Sequence, residues 1–367
     1  MMTNNSKIAI FIPSLAGGGA ERFMLNLANE FSKKDKKVFF IVSSLEGEYV
    51  SELDEEIRII DLKCKRVLYS IPSLIKFLRE EKPSALISTI YHANLIAIFA
   101  KTIARVKTKI IVRESNMHQT LKDASYNLVT YKFTLILMRL LYPLADSIIV
   151  VSRAMGDEIV ALVKGIGHKV NLIHNFINFD EVSFLANKPV LHPWIEEKKT
   201  KIILSVGRLS NQKNWPILLH AFARIRKDND VKLIILGEGP QRKELEALVR
   251  KLGIQSSVSL PGFDSNPYSW MSKVEIFVLS SDFEGFPNVL VQALACGCKV
   301  ISSDCASGPR EILEDGKWGR LFNVGDSDGL FLMMQEALND ENHTNTIQRA
   351  LFFSAEKCLE KYEMHLN

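Results

Sequence analysis

Cysteine is scarce in this chain: there are five in 367 residues, an odd number. That count excludes a disulfide-stapled secreted domain and predicts reduced thiols in a cytoplasmic protein. Cys296, Cys298 and Cys305 lie close together, but no fourth ligand stands at a zinc spacing, so no metal site is expected. Neither sign of charge is in excess, since 46 Lys and Arg against 42 Asp and Glu leave a net +4. This balance does not call for nucleic acid as a partner, and it suits a basic face toward an anionic membrane. Long apolar runs are missing too. "LISTIYHANLIAIFA" is interrupted by His92 and Asn94, and "FTLILMRLLYPLA" by Arg139. Both fall short of the roughly 20 residues that cross a bilayer. The opening "MMTNNSKIAIFIPSL" lacks a positive n-region and a cleavage signal, so its apolar run predicts a strand rather than a leader.

What the chain does have is alternation. "KIAIFIPS", "KVFFIVS", "ALIST", "TKIIVRE" and "DSIIVVS" are unbroken, β-rich runs bounded by turn residues, the pattern of buried parallel strands. Between them, "ERFMLNLANEFSKK" sets Phe23, Leu27 and Phe31 on one helical stripe. "VNLIHN" closes this half. The alternation resumes with "KIILSVGR", "VKLIILGEG", "SVSLPGF", "EIFVLSS" and "CKVISSD". The expectation is an α/β protein of two doubly wound, Rossmann-like domains in tandem. Residues 1–185 form the first, and 186–200, with two prolines and a charge run, form a linker. Residues 201–352 form the second, and 353–367 form a helix expected to pack back on the first.

In such sheets ligands bind beyond the carboxyl ends of the strands, and the polar residues gather there. "LAGGGAER" puts Gly17, Gly18 and Gly19 between the first strand and its helix. Glycines at such a turn allow close backbone approach and leave free N–H groups at a positive helix end. A dinucleotide fingerprint fits poorly, because its third, necessarily small position is Arg22. "GRLSNQKN" offers Arg208 and Lys213, two cations on one strand-end loop that suit a diphosphate. "LGEGP" places Gly237 at the next strand end, and "LPGFDSNP" places Gly262 and Phe263 where a base can lie along the backbone. "SSDFEGFPNVLVQALACG" sets Glu284 just before a helix starting near Pro287 or Asn288. Gly285, Phe286, Asn288 and Val289 line that start, and Gln292 lies two turns beyond Glu284.

In order along the whole chain, "GGGAER", "GRLSNQKN", "LGEGP", "PGF", "EGFPNVLVQALACG" and "SDCASGPREI" resemble the retaining glycosyltransferase family 4, of the GT-B fold. The resemblance is nearest to bacterial enzymes that add N-acetylhexosamines to undecaprenyl-diphosphate-linked sugars. It implies two Rossmann-like domains facing across a cleft, and transfer of a hexose or N-acetylhexosamine (GalNAc or GlcNAc) from a UDP-sugar. The acceptor is a glycan or lipid-linked sugar in O-antigen, lipopolysaccharide or capsule synthesis. It further implies that Arg208 and Lys213 hold the donor diphosphate. Glu284 matches the first acid of the family's E-x7-E motif and contacts the donor sugar. Where the second acid binds the ribose, this chain has Gln292. Gly17 to Gly19 approach the acceptor or the phosphates. Many relatives carry a functional His after the strand written here "IIVRESN"; this chain offers Arg113, Glu114 and Asn116, and Glu114 is expected to act ahead of His92 or His118.

No cofactor or metal is implied. The one D-x-D, Asp228 and Asp230, sits in a polar turn before a strand. Retention would follow same-face attack, with the leaving phosphate taking the acceptor proton. "RVLYSIPSLIKFLREEK" and "YNLVTYKFTLILMRLLY" mix cations with aromatics and aliphatics, as interfacial helices do, and point to a peripheral protein on the inner face of the membrane. Two alternatives share the architecture: a hydrolysing UDP-sugar 2-epimerase, and a non-catalytic sugar-nucleotide sensor favoured only by Gln292.

Overall fold

The computed structural model describes residues 6–15, 18–115, 128–197, 200–341 and 344–366. Two compact units emerge, Met1–Phe176 with Ala355–Asn367, and Ile177–Ser354.

The first unit is built on seven parallel strands: β1 (Lys7–Ile12), β2 (Lys37–Val42), β3 (Arg58–Asp61), β4 (Ala85–Thr89), β5 (Lys109–Glu114), β6 (Ser147–Val150) and β7 (Val170–Leu172). Their order across the sheet is β3-β2-β1-β4-β5-β6-β7. β1 pairs with β2 on one side and β4 on the other, so Ile8 faces Val38 and Ala85. The chain thus reverses its winding at β1. The middle strands are buried on both faces, which is why they read as apolar runs rather than as alternation. The helix Gly19–Lys33 packs behind β1 and β2 with Phe23, Leu27 and Phe31 buried, as its periodicity predicts.

The second unit repeats the plan with six parallel strands: β8 (Lys201–Val206), β9 (Val231–Leu236), β10 (Val258–Gly262), β11 (Ile276–Leu279), β12 (Lys299–Ser303) and β13 (Arg320–Phe322). Their order is β10-β9-β8-β11-β12-β13, with the reversal at β8. The strands β3 and β13 had no counterpart in the sequence reading. Each is a short edge strand holding an arginine, so neither stands out as an apolar run.

Residues 177–200, which the sequence reading divided between the first domain and a linker, fold with the second unit. The helix Phe179–Ala186 packs on the helix Pro267–Met271. Its last carbonyls accept from Asn266 Nδ2, Ser272 Oγ and Lys273 Nζ. His192 stacks edge-on against Trp270 and shares a hydrogen bond with Ser259.

The C-terminal helix Ala355–Leu366 joins the first unit. Its Tyr362 is fully buried against Phe23 and Phe31, and Leu359 lies in the same core.

Candidate active site

The second unit gathers its polar residues at the carboxyl ends of β8, β11 and β12. Lys213 closes a 3-10 turn, Asn211–Lys213, and Asn214 then takes a left-handed φ of 45° that an Asn tolerates. This turn aims Lys213 back across the end of β8. Its stem passes Gly207, where an added Cβ would lie 3.0 Å from Lys213 Cε. Lys213 Nζ meets Glu284 Oε1 at 2.6 Å, and Ser281 Oγ donates to the same oxygen at 2.6 Å. Glu284 is 8% exposed, so this charged pair is largely desolvated. Burial together with the Glu284 charge pushes the neighbouring Cys305 thiol up to about 12.

Hydroxyl groups fix the loop that carries Glu284. Ser303 Oγ donates to the Ser281 carbonyl, Ser307 Oγ to the Gly285 carbonyl and Ser280 Oγ to the Lys213 carbonyl. Asn214 Nδ2 donates to Asp282, and Gln212 exchanges two hydrogen bonds with the backbone of 282–283. The loops after β8, β11 and β12 are thereby one hydrogen-bonded body. These serines were overlooked in the sequence, yet they left a signal there: "SSD" occurs at 280–282 and again at 302–304, each time as a strand ends.

Other expected residues fall differently. The helix Asn288–Ala295 starts directly after Pro287. Asn288 and Val289 are half-buried in its first turn. Gln292 Nε2 donates to Tyr268 Oη at 3.1 Å. Arg208 is exposed, and its side chain has no hydrogen bond or ion pair among the described residues. Phe263 is exposed beside Gly262. Gly237 is required by its neighbour, since a Cβ there would lie 2.0 Å from the Gly207 carbonyl oxygen. Phe286 requires a correction: its ring turns inward onto Phe353, at 5.7 Å between centroids, so it offers backbone rather than side chain to a ligand.

In the first unit, Gly17 lies outside the described residues, as do Asn116 and His118. Gly18 precedes the helix Gly19–Lys33, and an added Cβ there would lie 2.1 Å from Glu21 Oε2. That helix start is therefore occupied by its own carboxylate, which its dipole favours. Arg22 pairs with Glu52 and stacks on Tyr49. Glu114 also needs a correction. It is 2% exposed and accepts from Asn94 Nδ2 and Tyr142 Oη. Its placement is that of an internal strut rather than a group turned outward to substrate. Burial, with the Glu114 charge, raises the Tyr142 phenol well above its usual range and keeps it a donor. His92 is pulled below its ordinary value by burial and stacks on Tyr91.

Asp228 and Asp230 are exposed at the amino end of β9, the opposite end of that strand from the Lys213 cluster. Among the described residues no three His, Cys, Asp or Glu side chains are grouped to hold a metal.

Two family models match. Residues 17–181 fit Glycosyltransferase Family 4, and residues 192–350 fit Glycosyl transferases group 1. Among curated relatives is the N-acetylgalactosamine-N,N'-diacetylbacillosaminyl-diphospho-undecaprenol 4-alpha-N-acetylgalactosaminyltransferase of Campylobacter jejuni, 34% identical over 91% of each chain. A second transferase of that organism, GalNAc-alpha-(1->4)-GalNAc-alpha-(1->3)-diNAcBac-PP-undecaprenol alpha-1,4-N-acetyl-D-galactosaminyltransferase, is 30% identical over 92% of this chain and 90% of its own. Among solved structures, Anabaena HepE in complex with UDP and glucose superposes with a TM-score of 0.81 at 19% identity, covering 98% of this chain and 99% of that one. At that identity the likeness is one of fold.

Proposed function

Because the chain belongs to glycosyltransferase family 4, we propose that it moves an N-acetylhexosamine, GalNAc or GlcNAc, from a UDP-sugar to an undecaprenyl-diphosphate-linked glycan with retention. The observation that carries this reading is the desolvated Lys213–Glu284 pair at 2.6 Å, at the carboxyl ends of β8 and β11 beside the start of the helix Asn288–Ala295. The names of the two Campylobacter relatives supply the sugar and the lipid carrier.

In this reading the exposed Arg208 and the pre-aimed Lys213 take the donor diphosphate, one as a fork and one as a point charge. The N–H groups of Asn288 and Val289, with Gly285 and the Phe286 backbone, meet the same anion. Gly237, Gly262 and Phe263 border the base, and Gln292 faces the ribose. Glu284 contacts the donor sugar. The bond from C1 to the diphosphate oxygen breaks and the acceptor oxygen bonds C1 on the same face. The acceptor proton passes to the departing phosphate. The two cations stabilise the negative charge that develops on the leaving group, a role that in other enzymes falls to a metal. Glu114 supports the first unit from inside. The enzyme works as a peripheral protein on the cytoplasmic face of the membrane, and its product feeds surface-glycan assembly.

The test is transfer from UDP-GalNAc and UDP-GlcNAc to a synthetic lipid-diphosphate sugar in excess EDTA, with proton NMR of the product. An α-linkage formed at an undiminished rate is expected. A β-linkage would overturn retention, and a lost rate restored by manganese or magnesium would overturn metal-free transfer.

A further inference from the structure

Glu284 receives two hydrogen bonds, and both end on the same oxygen. Lys213 Nζ and Ser281 Oγ each lie 2.6 Å from Oε1, whereas Oε2 has no hydrogen bond among the described residues. The charged partner by itself does not explain this division. The last torsion of a Glu side chain is soft and twofold, and an ammonium is a point charge on a flexible stem, so it holds either oxygen equally well. A hydroxyl at a fixed place does distinguish the two, because it gives its one proton to one oxygen.

Ser281 is such a fixed donor. It is fully buried just past β11, and its carbonyl accepts from Ser303 Oγ at 2.5 Å, at the end of β12. Ser303 is fully buried too. Ser280, one residue earlier, serves the other partner of the pair, since its hydroxyl donates to the Lys213 carbonyl at 2.8 Å. Adjacent serines thus hold the backbone of the lysine and the carboxylate of the glutamate. The hydroxyls of Ser280, Ser303 and Ser307 are spent on carbonyls and stitch the loops together. That of Ser281 is spent on the functional side chain itself.

The consequence is chemical. Two donors fill the lone pairs of Oε1, and Oε2 keeps its acceptor sites in one set direction. A carboxylate free to swing follows a sugar hydroxyl of either configuration. A fixed one serves a hydroxyl on one side and leaves the epimer unpaired, which is costly at a group only 8% exposed.

We propose that Ser281 is a positioning residue, fixing the Glu284 carboxylate with Oε2 toward the donor sugar, and that it thereby sets the choice between hexosamine epimers. The inference deepens the reading that Glu284 contacts the donor sugar and rests on it, while its test reads donor binding without any transfer.

The test is isothermal titration of the full chain with UDP-GalNAc and with UDP-GlcNAc, which differ only in the configuration of one hydroxyl. The ratio of the two dissociation constants, taken on one preparation, is insensitive to any loss of folded protein in a variant. The native chain is expected to favour one epimer at least tenfold. Ser281→Ala should cut that ratio at least fivefold, and Ser281→Thr, which keeps the hydroxyl, should retain more of it. Glu284→Ala removes the acceptor oxygen, so adding Ser281→Ala to it should change the ratio no further. Ser303→Ala loosens Ser281 from outside the site and should act in the same direction as Ser281→Ala. A native ratio near one would overturn the proposal, as would Ser281→Ala weakening both epimers equally or acting undiminished in the Glu284→Ala background. If Ser281→Ala does not fold, an unchanged ratio in Ser303→Ala overturns it. A native chain that discriminates the epimers yet transfers neither sugar would instead overturn the proposed reaction, and one that binds neither donor would overturn both.

Discussion

Gln292 donates through Nε2 to Tyr268 Oη at 3.1 Å, which leaves its amide oxygen as the acceptor for any other partner. A carboxylate has two equivalent acceptors, but an amide has one, so here the rotamer decides what the position can bind. Tyr268 is buried and packs beneath the helix Asn288–Ala295, well placed to hold that rotamer. If Gln292 faces ribose hydroxyls, Tyr268→Phe should raise the donor KM about fivefold with kcat nearly unchanged. That is the size of one neutral hydrogen bond, lost equally from ground and transition states. Gln292→Glu should keep or lower KM and make the enzyme less sensitive to Tyr268→Phe, since either carboxylate oxygen serves. Steady-state kinetics of the single and double variants, with donor varied at saturating acceptor, check this. Glu284 belongs to a different class of position. Its replacement by Gln removes the charge facing Lys213 Nζ and should act on kcat, about a hundredfold, rather than on KM.

At the scale of elements, the strand-end loops of the second unit are held by backbone-directed hydroxyls. Serine is short enough to reach a neighbouring carbonyl without filling the space above the sheet. The first unit solves a different problem, because its core is completed from the far end of the chain. The helix Ala355–Leu366 brings Cys358, Leu359 and Tyr362 against the helix Gly19–Lys33, and Phe23 stacks edge-on against Phe176 at 5.2 Å. Tyr362→Ala would leave a cavity where a fully buried ring stood and should cost the first unit about 3–5 kcal/mol. Native-state hydrogen exchange would localise the loss, with faster exchange in β1 and β2 and unchanged protection in β8 and β9. Uniform loosening of both sheets would contradict this assignment of the helix.

For the whole molecule, the buried thiols set an alkaline limit. Burial pushes Cys296, Cys305 and Cys358 each up to about 12 from the ordinary thiol value of 9.0. A folded-state value above the unfolded one means that the unfolded chain releases its thiol protons first as pH rises. Folding stability is therefore unaffected by these groups below about pH 9 and falls as pH climbs toward 12, by up to about 1.4 kcal/mol per thiol for each pH unit. Thermal denaturation should show a steep drop above pH 9. Cys296→Ala/Cys305→Ala should make it shallower for the second unit alone, where the buried Cys298, also raised by burial, keeps part of the drop. An unchanged slope in that variant would mean that other groups set the limit.

The sequence by itself determined the alternation of elements, because a strand buried on both faces must be apolar at every position and an amphipathic helix must repeat every three to four. It located Glu284 before a helix start and Lys213 on a strand-end loop by the same local logic. What remained for the tertiary structure were relations between residues far apart in the chain. Glu114 reads as a strand-end acid that acts on substrate, and only the folded chain shows Asn94 and Tyr142, 20 and 28 positions away, donating to it in the interior. Phe286 reads as part of a binding loop until Phe353 meets its ring. Residues 177–185 read as the end of the first domain until the helix Pro267–Met271 supplies the surface that the helix Phe179–Ala186 packs on. Local pattern records which face of an element is apolar; which partner covers that face is set by where the folded chain brings another segment alongside, and no short window of sequence contains that information.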